Sequence, residues 1–469
     1  MSVAGKQSNA GAAGAMVSAG AGGAIKKKKL GKIDLLSLAI GQTIGAGVIT
    51  MIGPAIGLTG RSVWLAYLAA ILFGAVINIP FFFLGSTLRL NGGQYSMMAA
   101  LGGDLTAGMF TMAFIARMLI IGNFGKALGI YVNSLWPSID SSLAGIVAVT
   151  LFYLFSLLGL TSISKLQNVM VIVLIAGLGI LVAAGMSNLD MAVFDFRGPE
   201  FFTGGAGGFA KAMFLLTYST TPYYFTTNYR AASKNPTRDI PWAMIMTVPF
   251  LILIYVSVAI VNAGTLPLAD VAGQPLTIIA RTYLNRPLFY AFMIGGPFMV
   301  ILTTLNAVFS NFSIPFLKAS EDGWLPRWIG KKNSRGAPWV IMLFMYAVAV
   351  LPLIMRFDIQ FIVNNTLLVT YALMFFSYYA IWQLPKKFPK DWAKSSLHCP
   401  KPVFYGLLVC TMAAQCSIII YAINELTVPV VVISIAAMAI CAGYAILRKK
   451  TGKVHVNADV IGVSGATDE

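Results

Sequence analysis

Twelve apolar stretches, each about as long as one bilayer crossing, fill nearly all of the 469 residues. A helix needs roughly 20 apolar residues to cross the hydrocarbon core. Ser62–Leu88, Ser141–Ser164, Leu166–Leu189, Ile240–Ala269, Pro287–Leu317 and Ile359–Pro385 meet that length without one charged residue. Only 10% of the chain is charged, against about 25% in soluble domains, so a soluble globular fold is excluded. The pattern predicts an all-α integral membrane protein with 12 transmembrane helices. They fall at 33–58, 62–88, 105–135, 142–164, 166–187, 207–229, 240–263, 287–317, 337–355, 359–383, 402–424 and 426–447.

The first span is interrupted at bilayer depth by Thr43-Ile44-Gly45-Ala46-Gly47-Val48. Hydrocarbon offers no partner to bare amides and carbonyls. An open turn there persists only where protein, water or a ligand supplies one. The sixth span is interrupted at the matching place by Tyr218-Ser219-Thr220-Thr221-Pro222, where proline withholds its backbone donor. Spans one to five (33–187) and six to ten (207–383) therefore read as a duplication. Five being odd, the second unit enters from the opposite side, a 5+5 inverted repeat with discontinuous first and sixth helices. Breaks at matching places in two repeats mark a carrier's binding site. Around the repeats lie a disordered cytoplasmic tail (1–32), an outer loop (188–206), a cytoplasmic loop (384–401), two C-terminal helices (402–447) and a second tail (448–469). Asn91-Gly-Gly-Gln-Tyr95 and the next few residues read as a short surface helix.

With the N-terminus inside, 25 basic residues fall on the cytoplasmic side and 5 outside. That is the positive-inside pattern, so the +17 net charge sets topology and calls for no nucleic acid partner. The chain is expected to be a multi-pass plasma-membrane protein with both termini cytoplasmic, either a monomer or a homodimer in contact with lipid. The four cysteines (Cys399, Cys410, Cys416, Cys441) have no metal-ligand spacing, and the two histidines, His398 and His455, lie in a loop and a tail. Neither a metal site, a cofactor nor an enzyme's triad has residues to build on.

Every carboxylate lies outside the spans or at their edges, as do Asp34, Asp104 and Glu425. A cation held by a buried acid is thereby disfavoured. A zwitterion needs no such acid: its carboxylate suits amides at the start of a half-helix, and its ammonium suits carbonyls left open near Gln42, Thr43 and Tyr218–Thr220. The substrate-binding candidates are Thr43, Ile44, Gly45, Ala46, Gly47, Val48, Asn123, Tyr218, Ser219, Thr220 and Thr221. Lys165 reads either as a snorkelling interfacial lysine or as a coupling group. Tyr223 and Tyr224 read as an aromatic lid or as ordinary packing. Arg117 and Lys126, nine residues apart on span three, face opposite sides, and the sequence leaves open which one faces the bundle. Asn123 serves either the cavity or a helix–helix bond. Thr303, Thr304, Asn306 and Ser310 form a polar stripe open to Na⁺, substrate or a neighbouring helix.

Four motifs in order resemble the amino acid–polyamine–organocation transporter superfamily: Thr43-Ile-Gly-Ala-Gly-Val-Ile49, Asn91-Gly-Gly-Gln-Tyr95, Lys234-Asn-Pro-Thr-Arg-Asp-Ile-Pro241, and Lys318 through Pro338. The resemblance implies a LeuT-type fold with two added C-terminal helices, and substrate contacts at Ile44–Gly47 and around Tyr218 to Thr221. Ile121-Gly122-Asn123 is similar to a substrate-contacting segment of arginine/agmatine exchangers. Lys165 is similar to a lysine of sodium-independent members whose ammonium reaches the first span. Ala231-Ala232-Ser233 replaces the family's acidic pair, and Arg117 matches none of its motifs. The expected activity is amino acid transport, most simply sodium-independent exchange by alternating access. Proton-coupled uptake and amino acid/amine antiport are the rivals within transport, and a membrane amino acid sensor is the rival outside it.

Overall fold

The computed structural model describes residues 29–45, 47–357, 359–458 and 460–462. Residues 1–28 of the expected disordered tail (1–32) and the candidate Ala46 lie outside them. Eight helical runs are long and apolar enough to cross a membrane: Lys32–Thr50, Ile52–Thr87, Asp104–Asn133, Leu160–Met186, Pro236–Gly264, Arg286–Glu321, Lys401–Asn424 and Val428–Lys450. Ser141–Ser156 and Trp339–Ile354 are shorter apolar helices, and Ile359–Trp382 is a further long one. The run Ile52–Thr87 reverses at Gly60, whose φ of 73° suits a residue without a side chain. A Cβ there would strike the Glu200 carbonyl.

Both interruptions are present. The first helix ends at Thr43 and resumes at Gly47. Between them Ile44 adopts φ −73°, ψ 80°, and the Gly45 amide donates back to the Thr43 carbonyl at 2.8 Å, an inverse γ-turn. The helix Gly205–Thr217 gives way to a tightened turn, with Ser219 and Thr220 amides bonding three residues back. Pro222 then opens a 3₁₀ segment, Pro222–Ala232, where its missing donor costs nothing because first-turn amides have no helical partner. A third break stands at Met118–Leu119, between helices Asp104–Arg117 and Ile120–Leu135.

Both ends of the described chain meet on one face, called here the terminal face. The Leu30 amide donates to the Ala232 carbonyl and the Lys234 amide to the Leu30 carbonyl, tying the start of the first helix to the end of the 3₁₀ segment. At the other end the last helix runs to Lys450, three residues into what the sequence reads as tail. Strand Val460–Gly462 pairs antiparallel with strand Leu88–Leu90. The helix at Gly93–Met97, expected at the surface, is buried instead. Its Tyr95 hydroxyl donates to Asp322 at 2.7 Å, and its Gln94 amide donates to Asn228. Gly93, with φ 58°, lets it lie directly against Asn228.

Asp322, 4% exposed, is the knot of this face. Its carboxylate accepts from Tyr95, from Lys318 Nζ at 3.1 Å and from the Asn457 amide at 3.2 Å, while its carbonyl accepts from the His455 amide. Asp322→Ala removes a buried carboxylate from a paired lysine and should cost about 3 kcal/mol. The expected result is a lower unfolding temperature of the detergent-purified protein and faster protease cleavage between 451 and 460. An unchanged cleavage rate would refute this role.

Candidate central site between the broken helices

The two breaks abut. A Cβ on Gly47 would lie 2.6 Å from Ser219 Cβ, so glycine is what allows the contact. Tyr255, fully buried, joins them: its hydroxyl donates toward the Thr43 carbonyl at 3.1 Å and the Ser219 carbonyl at 3.2 Å. It sits in a π-turn, Ile252–Val256, of the kind that often marks functional sites. The Tyr67 ring packs on it at 4.8 Å. Ser219 Oγ donates to the Leu216 carbonyl, so Tyr67 is the donor in its 3.0 Å bond to Ser219. Thr220 is held against the Ala70 carbonyl, and Asn78 Nδ2 donates to the Thr221 carbonyl at 3.2 Å.

These bonds change the expected division of labour. The Thr43 carbonyl accepts from both Gly45 N–H and Tyr255, so both its lone pairs are engaged. The Ser219 carbonyl accepts from Tyr255. Two of the carbonyls that the sequence reading offered to an ammonium, those of Thr43 and Ser219, thus share the single Tyr255 hydroxyl proton. Asn123 supplies a different acceptor. It is 6% exposed, and its Oδ1 has no hydrogen-bond partner. A buried amide oxygen without a donor is costly, so a helix–helix bond is not this oxygen's role. Its neighbour Phe124 reaches within 3.9 Å of a Cβ placed on Gly45, so the helix that carries Asn123 passes the first break.

Ile44 and Val48 are fully buried, Thr43 and Thr220 nearly so, while Tyr218 and Thr221 keep partial exposure. Tyr223 and Tyr224 are buried in the 3₁₀ segment on the terminal side of the second break. Tyr224 stacks on Phe81 at 4.7 Å and accepts a 2.7 Å hydrogen bond from Arg117 Nη1; Tyr223 stacks on Phe82. They form packed layers below the breaks rather than a cap over them. Of the two span-three cations, Arg117 faces the bundle, and Lys126 reaches sideways to Ser142 Oγ at 3.1 Å.

Lys165 is exposed, and among the described residues no hydrogen bond or ion pair joins it to the first helix. Two residues on, Gln167 takes the place expected of it. Gln167 is fully buried, packs where a Cβ on Gly41 would stand, and points Nε2 at the Ser37 carbonyl, 3.5 Å away. Its Oε1 accepts from Asn306 Nδ2 at 2.7 Å, and Thr304 Oγ1 donates to the Gly41 carbonyl at 3.2 Å. Asn306 and Thr304 thus join helices; Ser310 bonds the Tyr229 hydroxyl. Tyr67, Tyr255 and Gln167 escaped the sequence reading, although a lone polar tip amid an apolar span must find a partner.

The two faces of the molecule differ. On the face away from the termini, Arg61 is 5% exposed and bonds Glu200 at 2.7 Å, the Ala263 carbonyl at 3.0 Å and Asp190 at 3.6 Å. The Arg61 and Ser62 amides donate to Glu200 and Phe201 carbonyls, tying the loop at 188–206 to the turn at Gly60–Ser62. On the terminal face a cavity of about 490 Å³ opens beside Leu30, Ile163, Asn228, Ser310, Lys318 and Arg335.

Two substitutions read this geometry. Gln167→Ala takes from Asn306 Nδ2 one of its two acceptors, leaving the Ile163 carbonyl, and should cost about 1–3 kcal/mol with a marked loss of uptake, whereas Lys165→Ala should leave uptake within about twofold, under 0.5 kcal/mol, as for exposed positions. Gly47→Ala forces a methyl against Ser219 and should cost about 1–3 kcal/mol while abolishing ligand-induced thermal stabilisation. Uptake that depends on Lys165 and ignores Gln167 would reverse the assignment.

Comparison with known proteins agrees with this architecture. Residues 30–447 match the model of the amino acid permease family. An uncharacterized protein of Methanocaldococcus jannaschii is 22% identical over 66% of this chain and 72% of its own. The branched-chain amino acid permease of Bacillus subtilis is 22% identical over 72% and 76%. The cadaverine/lysine antiporter of Escherichia coli is 22% identical over 66% and 71%. A match across nearly all the apolar helices, both breaks included, shows that the chain belongs to the amino acid permease family.

Proposed function

We propose that the chain is a sodium-independent amino acid exchanger that works by alternating access around the two broken helices. On this reading it has 12 spans in a 5+5 inverted repeat, and its terminal face is cytoplasmic. The observation that carries the proposal is the abutment of the two breaks at Gly47 and Ser219, with the unpartnered Asn123 Oδ1 on the helix whose Phe124 reaches Gly45. The amino acid's ammonium donates to that oxygen, and its carboxylate rests on the resumed helix at Gly47, where the dipole favours an anion. Ile44, Tyr218 and Ser219 line the remaining wall.

Three observations support the mode of transport. Thr304 and Asn306 are engaged with Gly41, Ile163 and Gln167, which favours a helix-joining role for that part of the stripe over a Na⁺ site. The span-five group turned toward the first helix is the neutral Gln167, which favours a carrier without a titrating lysine there. The closed Arg61–Glu200 face and the hollow terminal face correspond to an inward-facing stage of a rocking cycle. One relative, the antiporter that handles cadaverine and lysine, supports exchange as a working mode within this family.

In proteoliposomes of purified protein, counterflow is the expected signature. Labelled amino acid enters only against an internal amino acid pool and is indifferent to Na⁺ and to an imposed proton gradient. Uptake into empty vesicles that follows the proton gradient would replace exchange by proton coupling.

A further inference from the structure

Arg117 is a cation at the end of a helix in the middle of the bundle, and nothing in the central site uses it so far. Its guanidinium carbon lies 4.4 Å from the Phe225 ring centre, 5.8 Å from those of Phe114 and Phe312, and 6.0 Å from that of Tyr224. Nη1 donates to the Tyr224 hydroxyl. Among the described residues no carboxylate pairs with it. The aromatic walls hold the guanidinium in place and keep bulk water from it, which strengthens its field on any anion that reaches it.

Other inward cations differ from it. Arg61 has Glu200 and Asp190, and Lys318 has Asp322. Arg230 also lacks a carboxylate, but it is 0% exposed, its Nε and Nη2 are sealed, and it is bonded to the Leu88 carbonyl behind the terminal strands. Arg117 retains 8% exposure, and neither its Nε nor its Nη2 is sealed from space. A planar fork whose single protein acceptor among the described residues is a neutral hydroxyl keeps donors free to take a carboxylate in two parallel bonds.

Its position fits a bound amino acid. Arg117 precedes the Met118–Leu119 turn, and Asn123 follows it on the next helix. An acceptor without a donor and a guanidinium with free N–H groups thus lie on one transmembrane segment, on either side of its break. The Arg117 partner Tyr224 belongs to the 3₁₀ segment that follows the second break. The cavity on the terminal face is also net positive: Lys29 and Arg335 line it beside Lys318 and Lys332, which pair with Asp322 and Glu321, and such a balance favours anions.

We propose that Arg117 is the specificity determinant of this carrier and binds the side-chain carboxylate of an acidic amino acid, while excluding cationic amino acids and amines. This rests on the central-site reading above. The α-ammonium goes to Asn123 Oδ1, and the second carboxylate goes to the Arg117 fork.

The test ranks ligands on the full-length protein by thermal stabilisation and by competition for uptake in proteoliposomes. Glutamate and aspartate are set against glutamine, asparagine and lysine. Wild type should prefer glutamate to glutamine by about tenfold or more, equal to 1.4 kcal/mol, and lysine should not compete. Arg117→Gln should erase that preference while glutamine still binds, and Arg117→Lys should keep it in weakened form. Glutamine bound as well as glutamate by wild type, or an unchanged ratio in Arg117→Gln, overturns the assignment and leaves the exchanger reading intact. If Arg117→Gln does not fold, the wild-type ranking and Arg117→Lys decide. If no amino acid binds at all, the exchanger reading falls and this one with it.

Discussion

A backbone opened inside a membrane has to be closed again by something other than lipid, and the whole centre of this protein is arranged around that demand. The Tyr255 hydroxyl reaches the Thr43 and Ser219 carbonyls. Thr304 serves Gly41, Asn78 serves Thr221, and Ile44 folds the chain back on itself. Apart from the Ile44 turn, each tie starts on a helix other than the one it repairs. The broken helices are therefore held by their neighbours, and any displacement of those neighbours is transmitted to the site. On the proposed alternating-access reading, these few hydrogen bonds are what couple binding to rocking.

Small residues make the ties short enough. Gly41 accommodates Gln167, Gly47 accommodates Ser219, and Gly74 accommodates Thr220. Helices in lipid gain little from burying apolar surface against each other, so close backbone approach and polar contacts do more of the work. At each of these three sites a methyl group would displace a polar side chain from the acceptor it serves or from the break it braces. Glycine in this bundle is thus part of the hydrogen-bond network, although it donates nothing from a side chain.

Much of the scaffold was legible in the chain because its signals are local. Apolar length marks the helices, Gly45 and Gly47 mark the first break, and Pro222 marks the second. What was not legible depends on helix phase and on contacts remote in sequence. Lys165 and Gln167 differ by two positions, about 200° around a helix, so one faces out and the other in; apolar spans without a polar stripe give no phase. The Arg117 cage draws on Phe114, Tyr224, Phe225 and Phe312, which no spacing rule connects. The tail strand Val460–Gly462 is too short to be read without its partner Leu88–Leu90. The buried helix at Gly93–Met97 looks polar enough for the surface, and only its bonds to Asp322 and Asn228 explain its burial.

The unpartnered groups also bear on why an exchanger would not move empty. Among the described residues Asn123 Oδ1 has no protein donor and Arg117 no carboxylate partner. An unsatisfied buried polar group and an unpaired buried charge each raise the free energy of any state that excludes water from them. The intermediate in which both faces are closed is such a state, and it must be crossed in every half-cycle. A bound amino acid supplies the missing donor and, on the assignment made here, the missing anion, so it lowers that intermediate more than it lowers the open states. Differential stabilisation of this kind is what permits a ligand to drive a conformational change. The barrier to empty return and the selection of substrate charge then have one physical origin, a site whose polar groups are complete only when cargo is present.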